Sequence, residues 1–225
     1  MRHDGKGVME NLGGALRIAG ALLTPFLRER RTRWGATDEE MRRVFPGDDR
    51  VPNPRWQFLH AVTVEAPARD VWPWIAQMGQ GRGGLYSYER LENAVGCRID
   101  NADAIVPALQ HIAVGDEFRL HPKMPPFKVA LVEPGHALLL HGAGAPPGAG
   151  KNPGPAPWMN TTWAFIVEDL GDGRSRLFSR DRIDYGPPSL AMNLGYGPWL
   201  IEPIGWAMDT KLLNGIKWRA ERRRD

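Results

Sequence analysis

A chain of 225 residues has the size of one ordinary domain and leaves little room for two complete ones. Its 26 glycines and 20 prolines call for a loop-rich fold without reaching a disordered composition, and its single cysteine, Cys97, excludes an intrachain disulfide and a cysteine-based zinc site and fits a reducing, cytoplasmic compartment. The net charge of +3 is mild and local, gathered around Arg28, Arg30, Arg31 and Arg33 and around Arg219, Arg222, Arg223 and Arg224, which points to solvated ends and away from a nucleic-acid surface.

The first apolar segment, residues 12–27, is shorter than the roughly 20 apolar residues that span a bilayer, carries Arg17 near its middle and meets Pro25. No strong basic run precedes it, so a signal peptide is not expected either. Leu12, Leu16, Ala19, Leu23 and Phe26 recur at helical spacing and predict an amphipathic helix. Its stripe has two places to go: onto the protein's own surface, or into a membrane interface with help from Arg28 to Arg33, which makes residues 12–33 a candidate peripheral membrane contact. Thr37 and Glu40 have the spacing of a capping box ahead of a short helix to about Val44. Pro46-Gly47-Asp48-Asp49 then turns the chain and Val51-Pro52-Asn53-Pro54 keeps it extended, dividing an N-terminal helical arm, 1–53, from a main domain, 54–225.

From Trp56 the pattern changes to period two. Trp56, Phe58, His60, Val62 and Val64 share one face of a strand, and Gln57, Thr63 and Glu65 share the other. A helix starts at Pro67 or Asp70 and buries Val71, Trp74, Ile75 and Met78, and a second short helix over Ser87–Val95 puts Tyr88, Leu91 and Val95 on one side. Strands are expected near 117–120, 127–133, 137–141, 161–168 and 176–185, with a mobile loop or lid at 142–157, whose Gly, Ala and Pro content cannot pack a core. The end is helical, with Ile204, Met208, Leu212, Gly215 or Ile216 and Arg219 along one face and Pro198 and Pro203 interrupting its start. Strands in sequence without repeated β-α alternation predict an α+β protein in which a curved antiparallel sheet grips a long C-terminal helix.

The stretch VTVEAPARDVWPWIAQMGQGRGGLYSYERLEN, with weaker support from TTWAFIVEDL, SRLFSRDRIDY and MDTKLLNGIKWRAE and from RWGATDEEM ahead of the domain, resembles the START-like superfamily, also called SRPBCC, which includes polyketide cyclase/dehydrase-like and lipid-transfer proteins. The resemblance covers roughly residues 56–222. It implies a helix-grip fold with a deep hydrophobic cavity under the last helix, and it brings no catalytic residue with it, because no family enzyme's motif is matched residue by residue.

Gly79, Gly81 and Gly84 satisfy G-x-G-x-x-G but follow a helix, where the nucleotide-binding fingerprint must follow a strand. These glycines serve a tight turn that carries Gln80, Arg82, Tyr86 and Tyr88 as polar groups for a cavity mouth, or else as ties to neighbouring carbonyls. His60, His111, His121, His136 and His141 have no metal-ligand spacing, and no nucleophile elbow is present, so neither a metal, a cofactor nor nucleophilic catalysis is implied. His60 reads as a hydrogen-bonded core histidine, with a buried general base as the alternative. Trp163 and Phe165 are candidates for a cavity wall, Met208 and Leu212 for its roof, and Arg180 for an anchor to a carboxylate or phosphate. The expected function is binding of a hydrophobic or amphipathic small molecule such as a lipid, isoprenoid or aromatic metabolite; the alternatives are a cyclase- or dehydratase-type enzyme and a membrane-associated interaction module.

Overall fold

The computed structural model describes residues 4–144 and 156–222. The expected lid at 142–157 falls mostly on 145–155, outside the described residues, as do Arg223 and Arg224 of the terminal basic cluster; 142–144 complete a strand.

In chain order the elements are α1 (Asp4–Leu23), a 3-10 turn at Pro25–Leu27, α2 (Arg28–Thr32), α3 (Asp38–Met41), β1 (Trp56–Val64), α4 (Ala68–Ala76), α5 (Glu89–Ala94), a second 3-10 turn at Pro107–Leu109, β2 (Glu117–Phe118), β3 (Phe127–Glu133), β4 (Ala137–Gly144), β5 (Trp158–Asp169), β6 (Ser175–Gly186), α6 (Leu190–Tyr196) and α7 (Ile201–Arg222). The capping box forms as the spacing predicts: Glu40 N–H donates to Thr37 Oγ1 at 3.1 Å, and Thr37 N–H to Glu40 Oε2 at 2.7 Å. Pro67 is the N-cap of α4, which buries Val71, Trp74 and Ile75, with Met78 buried just beyond its end. Pro203 is tolerated because it sits in the first turn of α7, where its missing N–H has no intrahelical partner to lose. The helix α6 went unforeseen. In α5 the expected face holds for buried Tyr88 and half-buried Leu91 but not for Val95, which is exposed, and Glu92 is buried as well, because α5 packs beside α1.

One antiparallel sheet of order β1-β6-β5-β4-β3-β2 carries the fold. It curves around α7, and α4 closes the same side, so the architecture is an α+β helix grip with an N-terminal helical arm. Leu138, Leu140, Phe165, Val167 and Leu177 on the concave face meet Val71 and Ile75 of α4 and Leu212, Leu213 and Ile216 of α7. The outer face is buried too. Leu59, Ala61, Leu139, Ile166 and Phe178 pack there against Phe45 of the N-terminal segment, which explains why β4 and β5 read as near-continuous apolar runs.

The outward arginines of β6 clamp that segment. Arg176 holds Glu40 at 2.8 Å, and Arg180 and Arg182 reach Asp48 at 3.0 and 3.5 Å while sharing Gln57. Arg43 returns the gesture by pairing with Glu168 of β5.

The loop after α4 fits under α7 only because residue 215 is glycine. A Cβ there would lie 2.2 Å from the Tyr86 carbonyl oxygen and 2.8 Å from Tyr86 Cβ. Gly215→Ala should therefore lower the melting temperature, since overpacking of about 1–3 kcal/mol outweighs a helix-propensity gain of about 1 kcal/mol. A thermal melt that rises on this substitution would show that the loop is not seated against the helix.

Candidate functional site

The concave face changes character along its length. Near α4 it is mainly apolar; toward the start of α7 it carries His60, Thr161, Trp163, Ser179 and Asp181. Strand alternation places these side chains on one face: His60 is opposite Ser179, and Asp181 is opposite both Phe58 of β1 and Trp163 of β5.

Asp209 of α7 drops into this region and organises it. Its Oδ2 lies 2.5 Å from His60 Nδ1, its Oδ1 accepts from Ser179 Oγ at 2.7 Å, and Ser179 Oγ in turn accepts from Trp163 Nε1 at 2.8 Å. His60 Nε2 lies 2.9 Å from the Arg31 carbonyl, which can only accept, so this nitrogen is the donor of that bond. His60 is fully buried and engaged at both nitrogens, stacked on Phe58 with centroids 4.2 Å apart. It is the hydrogen-bonded core histidine of the two alternatives, and no nitrogen remains to act as a base.

Asp181 is different. It is half-buried, and its hydrogen-bond partner is Thr161 Oγ1, donating to Oδ1 at 3.2 Å. Burial first, and then the negative charge of Asp209, push its pKa up to about 8 against the weaker opposing effects of Thr161 and Arg180. Asp181 is thus an uncharged carboxylic acid at neutral pH, able to donate as well as accept, on a wall formed by Phe58, Trp163 and Ile183. Sequence reasoning missed it. The signal available was its place on β6, where it alternates with Arg180 and Arg182.

A second displaced carboxyl lies in α5. Glu92 is buried with neither oxygen hydrogen-bonded among the described residues, and desolvation, then Glu89, raise it to about 7. Burial, and then Glu92, raise the Cys97 thiol, so it stays protonated and unreactive.

The expected site residues divide by position. Trp163, Phe165 and Leu212 meet in the concave core, where Trp163 and Phe165 have centroids 4.7 Å apart and Phe118 packs edge-on to Trp163. Met208 is only half-buried and lies over the loop after α4, its carbonyl accepting from Ser87 Oγ at 3.0 Å. Tyr86 is buried against Trp74 and under Arg219, its hydroxyl donating to the Trp74 carbonyl at 3.2 Å; burial raises its pKa. Tyr88 lies between Gly14 of α1 and Lys211 of α7. Arg82 is spent on the carbonyls of Ala76, Leu109 and His111, and Gln80 is half-buried with its N–H donating to the Arg119 carbonyl. Gly79 and Gly84 pair with each other across the turn, so the G-x-G-x-x-G segment is a tied hairpin. Arg180 points through the opposite face of the sheet to Asp48, which leaves it no free guanidinium for a ligand in the grip. Among the described residues no cluster of three or more His, Cys, Asp or Glu side chains has metal-binding geometry.

No family model matches the chain, and no curated protein is similar to it. Solved structures are. A protein from Mesorhizobium loti is 15% identical over 74% of this chain and 98% of its own, with a TM-score of 0.40. The Zhui aromatase/cyclase of a Streptomyces species is 15% identical over 76% of this chain and 96% of its own, at 0.34. A START superfamily protein from Mycobacterium smegmatis is 10% identical over 74% and 98%, also at 0.34. These likenesses bring no residue role to this chain; the fold rests on its own topology.

The raised pKa of Asp181 fixes the sign of a pH dependence. Between the ordinary carboxylate value of 3.8 and about 8 the folded chain holds a proton that the unfolded chain releases, so stability falls as pH rises through that window; Glu92 adds the same sign up to about 7. Asp181→Asn, which keeps the shape and cannot ionise, should flatten the upper part of the slope and melt higher than wild type at pH 8, by about 2–4 °C for each kcal/mol recovered. An unchanged slope would mean that Asp181 ionises freely.

Proposed function

We propose that the protein binds a small apolar or amphipathic molecule, such as a lipid, isoprenoid or aromatic metabolite, against the concave face under α7, with the polar end of the ligand at Asp181. In this proposal residues 54–225 form the ligand-binding unit and residues 1–53 an arm, and a membrane is the natural store of such a ligand, met through residues 12–33. The observation that carries it is a single partly accessible, uncharged carboxyl set in an aromatic and aliphatic wall of Phe58, Trp163 and Ile183. Apolar walls with one orienting polar group are the usual make-up of small-molecule sites. Trp163, Phe165 and Leu212 supply apolar surface, and at about 25 cal/mol per Å² a ligand hiding roughly 300 Å² gains about 7 kcal/mol before the cost of association.

A second function draws on the same carboxyl. A group that titrates near neutrality beside another carboxylate is suited to general-acid catalysis, so a cyclase or dehydratase using Asp181 to protonate a departing oxygen is the alternative. Recovery of every bound ligand unchanged, by mass spectrometry after prolonged incubation, would reject it.

Two probes differing in one polar group test the binding site. Acetylnaphthalene, whose ketone accepts a hydrogen bond, should quench tryptophan fluorescence and bind tighter than naphthalene; its affinity should hold below pH 8 and fall above it, while that of naphthalene stays flat. Asp181→Ala should abolish the difference between the probes, and Trp163→Ala should weaken both by about tenfold, the equivalent of 1.4 kcal/mol. A folded Trp163→Ala variant that binds both as tightly as wild type would place the ligand elsewhere.

A further inference from the structure

The N-terminal helix is docked the opposite way round from ordinary amphipathic helices. Its inward face is small: Gly14 and Ala21 are buried, and a Cβ on Gly14 would come within 2.7 Å of the Tyr88 ring. Arg17 fastens that face to α7 by donating to Thr210 Oγ1 at 3.2 Å and by lying 4.6 Å over the Trp206 ring. The bulky stripe therefore faces out. Leu12, Leu16, Leu23 and Phe26 are 60, 65, 80 and 79% exposed.

The surface continues across the end of the helix. Leu22 and Pro25 share a cavity of about 230 Å³ with Trp199, itself 70% exposed, and with Arg28 at the same wall; the buried pair of Arg31 and Glu202 also lines it. Arg28 and Arg30 form no ion pair among the described residues, whereas Glu29 and Arg33 pair with each other.

We propose that this surface docks on an anionic lipid bilayer, with Leu12, Leu16, Leu23, Phe26 and Trp199 entering the interface and Arg28 and Arg30 meeting lipid phosphates. The inference deepens the assignment of residues 12–33 as the membrane-facing arm and is independent of the interior ligand site. Helix α1 lies in the plane and does not cross, since it is fastened to α5 and α7 along its length and no described helix is long and apolar enough to span. Trp at one end and arginines beside it match the layered chemistry of the interface, an apolar zone below and phosphate above. Self-association through the same face is the competing occupant; it would cover the apolar stripe but would not supply Arg28 and Arg30 with the anionic partner that a lipid phosphate offers.

The full chain, spun with vesicles, decides the matter. It should sediment with phosphatidylcholine–phosphatidylglycerol vesicles and far less with phosphatidylcholine alone, and added salt should weaken the binding. Leu23→Ser with Phe26→Ser, or Trp199→Ser, should cut vesicle affinity about tenfold or more without moving the thermal melt, because these side chains already face water. Arg28→Gln with Arg30→Gln should erase the preference for anionic vesicles. The Trp163→Ala variant should bind vesicles like wild type, which separates this surface from the interior site. An intact chain that stays in the supernatant with both vesicle types overturns the proposal. So does a lipid-free dimer in sedimentation velocity that Leu23→Ser with Phe26→Ser converts to monomer.

Discussion

A short buried contact, His60 Nδ1 to Asp209 Oδ2 at 2.5 Å, joins the first strand to the helix that the sheet surrounds. Removing either partner would strand the other inside the protein, where an unpaired charge or orphaned polar group costs about 3–5 kcal/mol. The contact does not act alone. Arg31 of the arm supplies the carbonyl for the other histidine nitrogen, and Ser179 and Trp163 extend the chain of hydrogen bonds across β6 and β5. Four parts of the molecule, arm, edge strand, sheet centre and last helix, are thus registered by one network whose members all need each other.

The same network creates the candidate site. With Asp209 committed inside, a second carboxyl nearby cannot ionise without facing both poor solvation and like charge, and Asp181 remains a neutral acid. Structural and chemical roles are divided between neighbours two residues apart on β6: Ser179 has its hydroxyl fixed by Asp209 and Trp163, while Asp181 retains solvent access and spare hydrogen-bonding capacity. The apolar wall around Asp181 strengthens this state, since it offers no water-like shell to a carboxylate.

The N-terminal region serves both sides of the sheet. Residues 37–51 cover its outer face, fixed by the β6 arginines, and Arg31 pairs with Glu202 through two hydrogen bonds of 2.8 and 2.9 Å at the start of α7. What remains of the region is α1, which lends its small residues to the protein and its large ones to the surroundings.

Periodicity carried most of the fold from sequence to structure. Alternation set β1, the Thr37–Glu40 spacing set a cap, and proline positions set helix starts, because these are local effects that neighbouring residues fix by themselves. Composition likewise settled what Cys97 could not do. The site was less legible. Trp163, Phe165 and Leu212 follow from apolar pattern, but the partners of Arg82 and Arg180 and the inward turn of Asp209, between half-buried Met208 and buried Thr210, depend on what lies across from them. The outward stripe of α1 shows the same division: sequence determined that the helix is amphipathic, and only packing decided that Gly14 and Ala21, not Leu16 and Leu23, would face the protein, because the Tyr88 ring leaves no room there for a larger side chain. A pattern of residues fixes which faces an element has; which of them is buried is a property of the surface it meets.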